Sequence, residues 1–266
     1  LERLLASARE KHGAKTRVLV VTESIFSMDG DAAPLRGIVE LTEKHDAMLL
    51  VDEAHAVGVI GPQGRGLVAE LGLEKRVALQ MGTLSKALGV SGGYVAASRG
   101  IVDLLINKAR SLIYSTAPPP AIAVAATKAV EIVASPVGNE LRSRLQRNIR
   151  QALDLSGGSP VPISSTPVGR GLSIRSAILP IIIGEESTAM HASAALVERG
   201  FLIPAIRYPT VARGTARLRL TLSAAHEAGQ IKALVSNLLD IVPQLGTTTA
   251  TPLHDGAEES LAEDEA

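Results

Sequence analysis

Three short runs of branched apolar residues recur in the first third of the chain: RVLVVTE at 17–23, AMLLVDEAH at 47–55 and VALQMGT at 77–83. Between the first two lies a helical pattern with proline in its first turn, from Pro34 to about His45. A half-buried strand of an antiparallel sheet alternates apolar and polar residues, whereas these runs are nearly continuous. They predict an α/β fold built on a mostly parallel sheet that helices cover on both faces. Two further short strands are expected at GYVAAS (93–98) and SLIYST (111–116).

The second half changes character. Residues 117–135 read as a long helix opened by prolines and closed at Ser135-Pro136, and a polar helix, GNELRSRLQRNIRQAL, follows. A Gly-, Ser- and Pro-rich loop spans about 156–173. The strand AILPIIIG, the helix STAMHASAALVERG, the segment FLIPAIRYPT, the strand RLRLTLS and a helix from about Ala225 to Leu239 make an α+β unit. The expected division is a partial large domain at 1–134, a smaller α+β domain at 135–245 and a disordered acidic tail at 246–266. The opening LERLLASAREKHGAKTR places Leu1, Leu4, Leu5 and Ala8 on one helical face, as in a chain that starts mid-domain.

Composition narrows the chemistry. Lys plus Arg and Asp plus Glu both total 27, so nothing global points to nucleic acid or an anionic membrane. The absence of Cys excludes a disulfide framework, a thiolate metal site and a cysteine nucleophile, and fits a reducing, cytoplasmic setting. No apolar run approaches the roughly 18 residues of a membrane span. Aromatics are 2%, so Leu, Val, Ile and Ala must build the core.

In an open α/β sheet, ligands bind beyond the carboxyl ends of the strands. Asp52 and His55 end one strand pattern; Thr83, Ser85 and Lys86 follow another, among Gly89, Gly92 and Gly93. Taken alone, each has a plain explanation: a lysine in a glycine-rich loop is usually solvated, and an aspartate at a strand end often caps a turn. Together they would line one pocket. A metal site is weak, because Asp52 and Glu53 point to opposite faces of a strand and no second His lies at ligand spacing. There is no phosphate-binding G-x-x-x-x-G-K-[ST] and no G-x-S-x-G elbow. A lysine with an aspartate suits pyridoxal phosphate: the amine forms a Schiff base and the carboxylate keeps the pyridine nitrogen protonated. Lys86 is expected to be shielded from water, with a lowered pKa.

The segments SIFSMDGDAAPL, VDEAHAVGVIGPQGRG, GTLSKALGVSGGYVA, LIYSTAPPP and GTARLRLTLSAAHE, in this order, resemble the α-oxoamine synthases. These are pyridoxal-phosphate acyltransferases of the aspartate aminotransferase fold, and the resemblance runs from about Val18 to Leu239. It implies that Lys86 is the Schiff-base lysine, that Asp52 pairs with the pyridine nitrogen and that His55 bonds the phenolic oxygen of the cofactor. It further implies cofactor contacts from Ser27 and Thr83, and phosphate contacts from Ser115 and Thr116 across a homodimer interface. Thr210 would touch substrate and Arg219 would grip the amino-acid carboxylate. Arg217 and Arg219 alternate with leucines on one strand and face one side, so a solvated sheet-surface charge is the competing explanation. The other five histidines, at 12, 45, 191, 226 and 254, read as surface or cap residues.

Within the family, TLSAAHE is most similar to the members that condense L-alanine with a pimeloyl thioester of CoA or acyl carrier protein, with loss of carbon dioxide, in biotin synthesis. A glycine-using member is the alternative. The family's N-terminal region, with a phosphate-binding loop and a histidine that stacks on the cofactor ring, has no counterpart before Leu1. A second expectation therefore stands beside the first: an inactive piece with only a dimerising or binding role, weak cofactor affinity and an exposed, apolar sheet face.

Overall fold

The computed structural model describes residues 1–13, 15–157, 163 and 176–244. The acidic tail and nearly all of the Gly-, Ser- and Pro-rich loop lie outside the described residues. After α1 (Glu2–His12) come β1 (Leu19–Glu23), α2 (Leu35–Lys44), β2 (Met48–Asp52), a 3₁₀ turn (Pro62–Gly64), α3 (Leu67–Glu70), β3 (Leu79–Thr83) and β4 (Gly93–Ala97). These four strands form one sheet in the order β1-β2-β3-β4. The first two pairings are parallel and β4 is antiparallel to β3.

Register decides what each face carries. Val20 pairs with Leu49 and Thr22 with Val51, so one face presents Leu49 and Val51 to a core that includes Val39 of α2, Leu67 and Val68 of α3 and Ile60. Each fully buried aliphatic side chain there is worth roughly 1.5–3 kcal/mol. The opposite face carries Leu19 beside Met48, and Val21 beside Leu50. Here Leu19 is 48%, Val21 63% and Met48 39% exposed. Among the described residues the expected covering is thus seen on one face, while on the other Leu19, Val21 and Met48 remain exposed and Leu50 is partly buried. In α1, Leu5 is buried, whereas Leu1 and Leu4 remain exposed.

α4 (Arg99–Lys108), α5 (Arg110–Ile113) and α6 (Pro120–Ala134) bury no side chain. The strand expected at 111–116 is not formed: α5 is a single helical turn and Tyr114, Ser115 and Thr116 continue as exposed chain. Leu, Ile and Tyr favour strands only where a neighbouring strand accepts their hydrogen bonds. No such partner edge meets this segment among the described residues.

α7 (Pro136–Ser156) leaves α6 at a bend of 70°. Pro136 starts the new helix and Ser135 is its N-cap. The corner is close: a Cβ on Gly138 would sit 2.2 Å from the Val133 carbonyl oxygen and 2.6 Å from that of Ile132. Carbonyls freed at the end of α6 are satisfied by side chains, Val133 by Arg142 Nη1 at 2.9 Å and Ile132 by Ser135 Oγ at 2.7 Å. From there α7 runs against α9 (Ala228–Gln244) and a second core, with Ile149 and Ala152 fully buried. That core includes a small antiparallel sheet in the order β5-β7-β6, from β5 (Ile178–Gly184), β6 (Ala205–Ile206) and β7 (Ala216–Thr221), and α8 (Glu186–Glu198). No single described helix is long and apolar enough to cross a membrane.

Candidate active site

β2 and β3 are neighbours, so the loops leaving their carboxyl ends meet. At the end of β2, Asp52 Oδ1 accepts the Ala54 amide at 2.8 Å and turns the chain toward His55. After β3, Thr83 Oγ1 lies 2.8 Å from Ser85 Oγ and accepts the Ser85 amide at 3.2 Å. Leu84 N donates to Gly92 O at 2.9 Å, and Gly89 N to Lys86 O at 3.0 Å. Gly89 and Gly92 have φ of 66° and 113°, a left-handed backbone that side-chain-bearing residues rarely adopt. This tight loop sets Lys86 Nζ 3.1 Å from His55 Nε2.

The electrostatics of the pair are set by burial and by charge. Desolvation pushes the His55 pKa down to about 4, aided by the positive charges of Lys86 and Arg219 and opposed by Asp52. At neutral pH the ring is therefore neutral, and its Nε2 can accept a proton of Lys86 in the corresponding tautomer. Lys86 itself is exposed rather than shielded, because the glycines around it supply no side chain to cover it.

A cavity of about 550 Å³ opens beside this pair, lined by His55 and Lys86 from the strand-end loops, Leu141 and Arg142 from α7, Ile178 from β5 and Arg219 from β7. No carboxylate lines it among the described residues, so the lining favours anionic ligands. Asn148, buried in α7, donates to the carbonyls of Ser223 at 3.0 Å and His226 at 2.9 Å, and so fixes the loop after β7 that closes one wall.

The two arginines of β7 are not solvated sheet-surface charges. Arg217 is buried and forms an ion pair with Asp29, while its Nε donates to Thr215 O at 3.1 Å. Arg219 is partly buried, which lowers its pKa; its Nε donates to Ser27 O at 2.7 Å and its Nη1 to Thr221 Oγ1 at 3.0 Å. Ser27 thus meets the site through its carbonyl.

Of the residues expected to share one pocket, His55, Lys86 and Arg219 line the cavity, whereas Asp52, Thr83 and Ser85 stay at the strand ends outside its lining and Ser27 reaches it only through its carbonyl bond to Arg219. Ser115, Thr116 and Thr210 are exposed and do not line the cavity. Two residues escaped the sequence, Arg142 and Asn148; Glu53 lies opposite Asp52 as the strand alternation predicts, but its backbone partners could not be read. Glu53 is 2% exposed and points away from Asp52, accepting the amides of Leu67 at 2.7 Å and Val68 at 2.9 Å at the start of α3. Burial pushes its pKa up to about 7 against those two donors. No group of three or more His, Cys, Asp or Glu suited to a metal occurs among the described residues.

Residues 1–238 match the model of the family described as aminotransferase class I and II. The 8-amino-7-oxononanoate synthase of Anaeromyxobacter dehalogenans is 45% identical over 248 residues, which are 91% of this chain and 57% of that protein. That of Geobacter sulfurreducens is 43% identical, over 92% of this chain and 60% of the relative. The chain thus spans less than two thirds of the length of these curated relatives. Among solved structures, serine palmitoyltransferase from S. paucimobilis with a bound PLP–myriocin aldimine superposes with a TM-score of 0.81 at 28% identity, covering 92% of this chain and 60% of that one. The 8-amino-7-oxononanoate synthase of Francisella tularensis gives 0.71 at 27% identity, covering 91% and 67%. With a mostly parallel sheet, a smaller antiparallel sheet and a match over most of its length, this chain belongs to the aminotransferase class I and II family.

Proposed function

We propose that the chain belongs to a pyridoxal-phosphate-dependent α-oxoamine synthase. It condenses L-alanine with a pimeloyl thioester and yields 8-amino-7-oxononanoate, carbon dioxide and the free thiol. The observation that carries this reading is the Lys86–His55 contact of 3.1 Å at adjacent strand ends, in a cavity shared with Arg219. The relatives named 8-amino-7-oxononanoate synthase support the choice of reaction.

The residues fit the cofactor. Lys86 offers an amine at the cavity wall, Asp52 a carboxylate for the pyridine nitrogen, neutral His55 a hydrogen-bonding partner for the ring oxygen, and Thr83 and Ser27 further polar contacts. When bound, the cofactor supplies an electron sink for the negative charge that develops at the amino-acid α-carbon. Arg219 holds the alanine carboxylate through paired N–H donors. Lys86 Nζ takes the α-proton, and a neutral His55 beside it adds no second positive charge to hold that proton back. The apolar walls contributed by Leu141 and Ile178 take the acyl chain and exclude water. A carbon–carbon bond forms between the alanine α-carbon and the thioester carbonyl. The carbon–sulfur bond then breaks, the departing thiolate taking a proton from solvent; the bond to the alanine carboxylate breaks to release carbon dioxide, and the α-carbon, which keeps that electron pair, takes back the proton held on Lys86 Nζ.

Ser115 and Thr116, exposed and outside the lining of this cavity, are proposed to serve the site of a second copy in a homodimer, and Thr210 to meet substrate. The test has two parts. Borohydride reduction after cofactor titration, followed by peptide mapping, should place a pyridoxyl group on Lys86. Carbon dioxide release should then require both alanine and a pimeloyl thioester, offered on CoA and on acyl carrier protein. An adduct on another lysine would move the site, and a preference for glycine would make the chain a glycine-using member.

A further inference from the structure

The connection between β1 and α2 reaches across to β7 and touches both of its arginines. Within this turn Gly30 N donates to Phe26 O at 2.8 Å, Phe26 N to Asp31 O at 2.9 Å and Ala33 N to Ser24 O at 3.0 Å. The turn is seated on β5: a Cβ on Gly30, whose φ is 69°, would lie 2.3 Å from Ile178 O. Two of its groups point at β7. Asp29 meets Arg217, and the Ser27 carbonyl accepts from Arg219 Nε at 2.7 Å.

Arg217 and Arg219 are two residues apart on one strand and therefore share a face. A guanidinium has five N–H donors in one plane. Arg219 commits one to Ser27 O and one to Thr221 Oγ1, and these two bonds fix both the position and the plane of the group. Three donors remain for the paired recognition of a carboxylate. Arg217 finds no acid other than Asp29 among the described residues. Without that partner its buried charge would compete for the nearest carbonyl of the turn.

We propose that Asp29, Arg217 and the Ser27 carbonyl form a latch that holds Arg219 in the orientation that binds the amino-acid carboxylate. Asp29 and Arg217 are then positioning residues, selective for one of the two substrates. The proposal rests on the reading of Arg219 as the carboxylate-binding group. A merely structural ion pair would affect both substrates alike, whereas a latch affects the amino acid alone.

The experiment compares Asp29→Ala, Arg217→Met and their double variant with the parent enzyme. Each single variant should raise the KM for alanine about tenfold, as an oriented bidentate grip becomes a mobile one. The KM for the thioester should stay within about twofold, and the double variant should be no worse than either single one, because both remove the same contact. Asp29→Glu should restore part of the alanine affinity. Independently, the Arg219 Nε–H resonance should lose its protection from solvent exchange in Asp29→Ala, a measurement on the chain itself that needs no turnover. Equal rises in both KM values, or an Nε–H as protected as in the parent, would overturn the latch. An enzyme that refuses alanine altogether would retire the substrate assignment, and the Nε–H measurement would still decide the latch.

Discussion

Glu53→Gln tests how the rear of the site is built. The carboxylate is caught between two opposing effects: burial favours the neutral acid, while the amides of Leu67 and Val68 favour the anion. Burial prevails, and the pKa rises from 4.5 to about 7. At about 1.4 kcal/mol for each tenfold change in proton affinity, this is worth about 3 kcal/mol. The sign follows from linkage. A folded-state pKa above the unfolded one gives stability that is complete below pH 4.5 and is lost as the pH rises through about 7. His55 does the reverse, since its pKa falls from 6.5 to about 4: its contribution is complete above 6.5 and is lost as the pH drops toward 4.

Comparing the parent with Glu53→Gln cancels the His55 contribution, because both proteins carry it. Near pH 5 the variant turns an amide NH2 toward one of the two backbone donors, which costs about 1–3 kcal/mol. Near pH 8 the parent holds a buried charge that the amide lacks, so the gap should close by about 3 kcal/mol and can change sign. Urea unfolding of both proteins near pH 5 and near pH 8 measures the gap, and amide exchange at Leu67 and Val68 reports the same event locally. A gap that is equal at the two pH values, or wider near pH 8, would refute the reasoning: the two amides would then outweigh burial.

Three further substitutions probe the other walls. Asp52→Asn should leave the cofactor bound but slow deuterium exchange at the alanine α-carbon by orders of magnitude, because an amide cannot balance a pyridinium; unchanged exchange would remove Asp52 from that role. Arg219→Lys should weaken alanine far more than the thioester in separate titrations, since an ammonium cannot reproduce two parallel bonds. Gly138→Ala should destabilise the α6–α7 corner by about 2 kcal/mol or more in thermal unfolding, because its methyl would lie 2.2 Å from a backbone oxygen; an unchanged melting temperature would show that the corner yields.

What could be read from the sequence was what is local along the chain. Asp52, His55, Thr83 and Lys86 all lie within a few residues of strand ends, and parallel neighbours bring such ends together whatever the rest of the chain does. The partners of β7 could not be read in this way. Ser27 and Arg219 are 192 positions apart, and nothing in either segment names the other. Glu53 was hidden for a different reason: an acid beside a chemically suggestive Asp52 is indistinguishable from a surface charge until the amides of α3 are seen to face it. At SLIYST, apolar and aromatic content matched a strand while the hydrogen-bonding partner, a property of the fold and not of the segment, is not found among the described residues.

The two faces of the sheet carry the same lesson in energetic form. Val20, Leu49 and Val51 on one side, and Leu19, Val21, Met48 and Leu50 on the other, are equally apolar, so the sequence asks for cover on both. Among the described residues Leu49 and Val51 are buried and Val20 packs partly buried against their core, while on the other face Leu50 is partly buried and Leu19 and Val21, alternate residues of β1, remain 48% and 63% exposed, with Met48 of β2 beside Leu19. At roughly 25 cal/mol for each Å² of apolar surface removed from water, covering such a stripe is favourable for any apolar surface of matching shape. Asp52 pairs in register with Glu23 and Met81 and, two residues beyond Leu50 on β2, lies on this same face. Whatever covers the stripe would therefore also shape the surroundings of the carboxylate assigned to the pyridine nitrogen, and would tie the folding of this face to the chemistry at its edge.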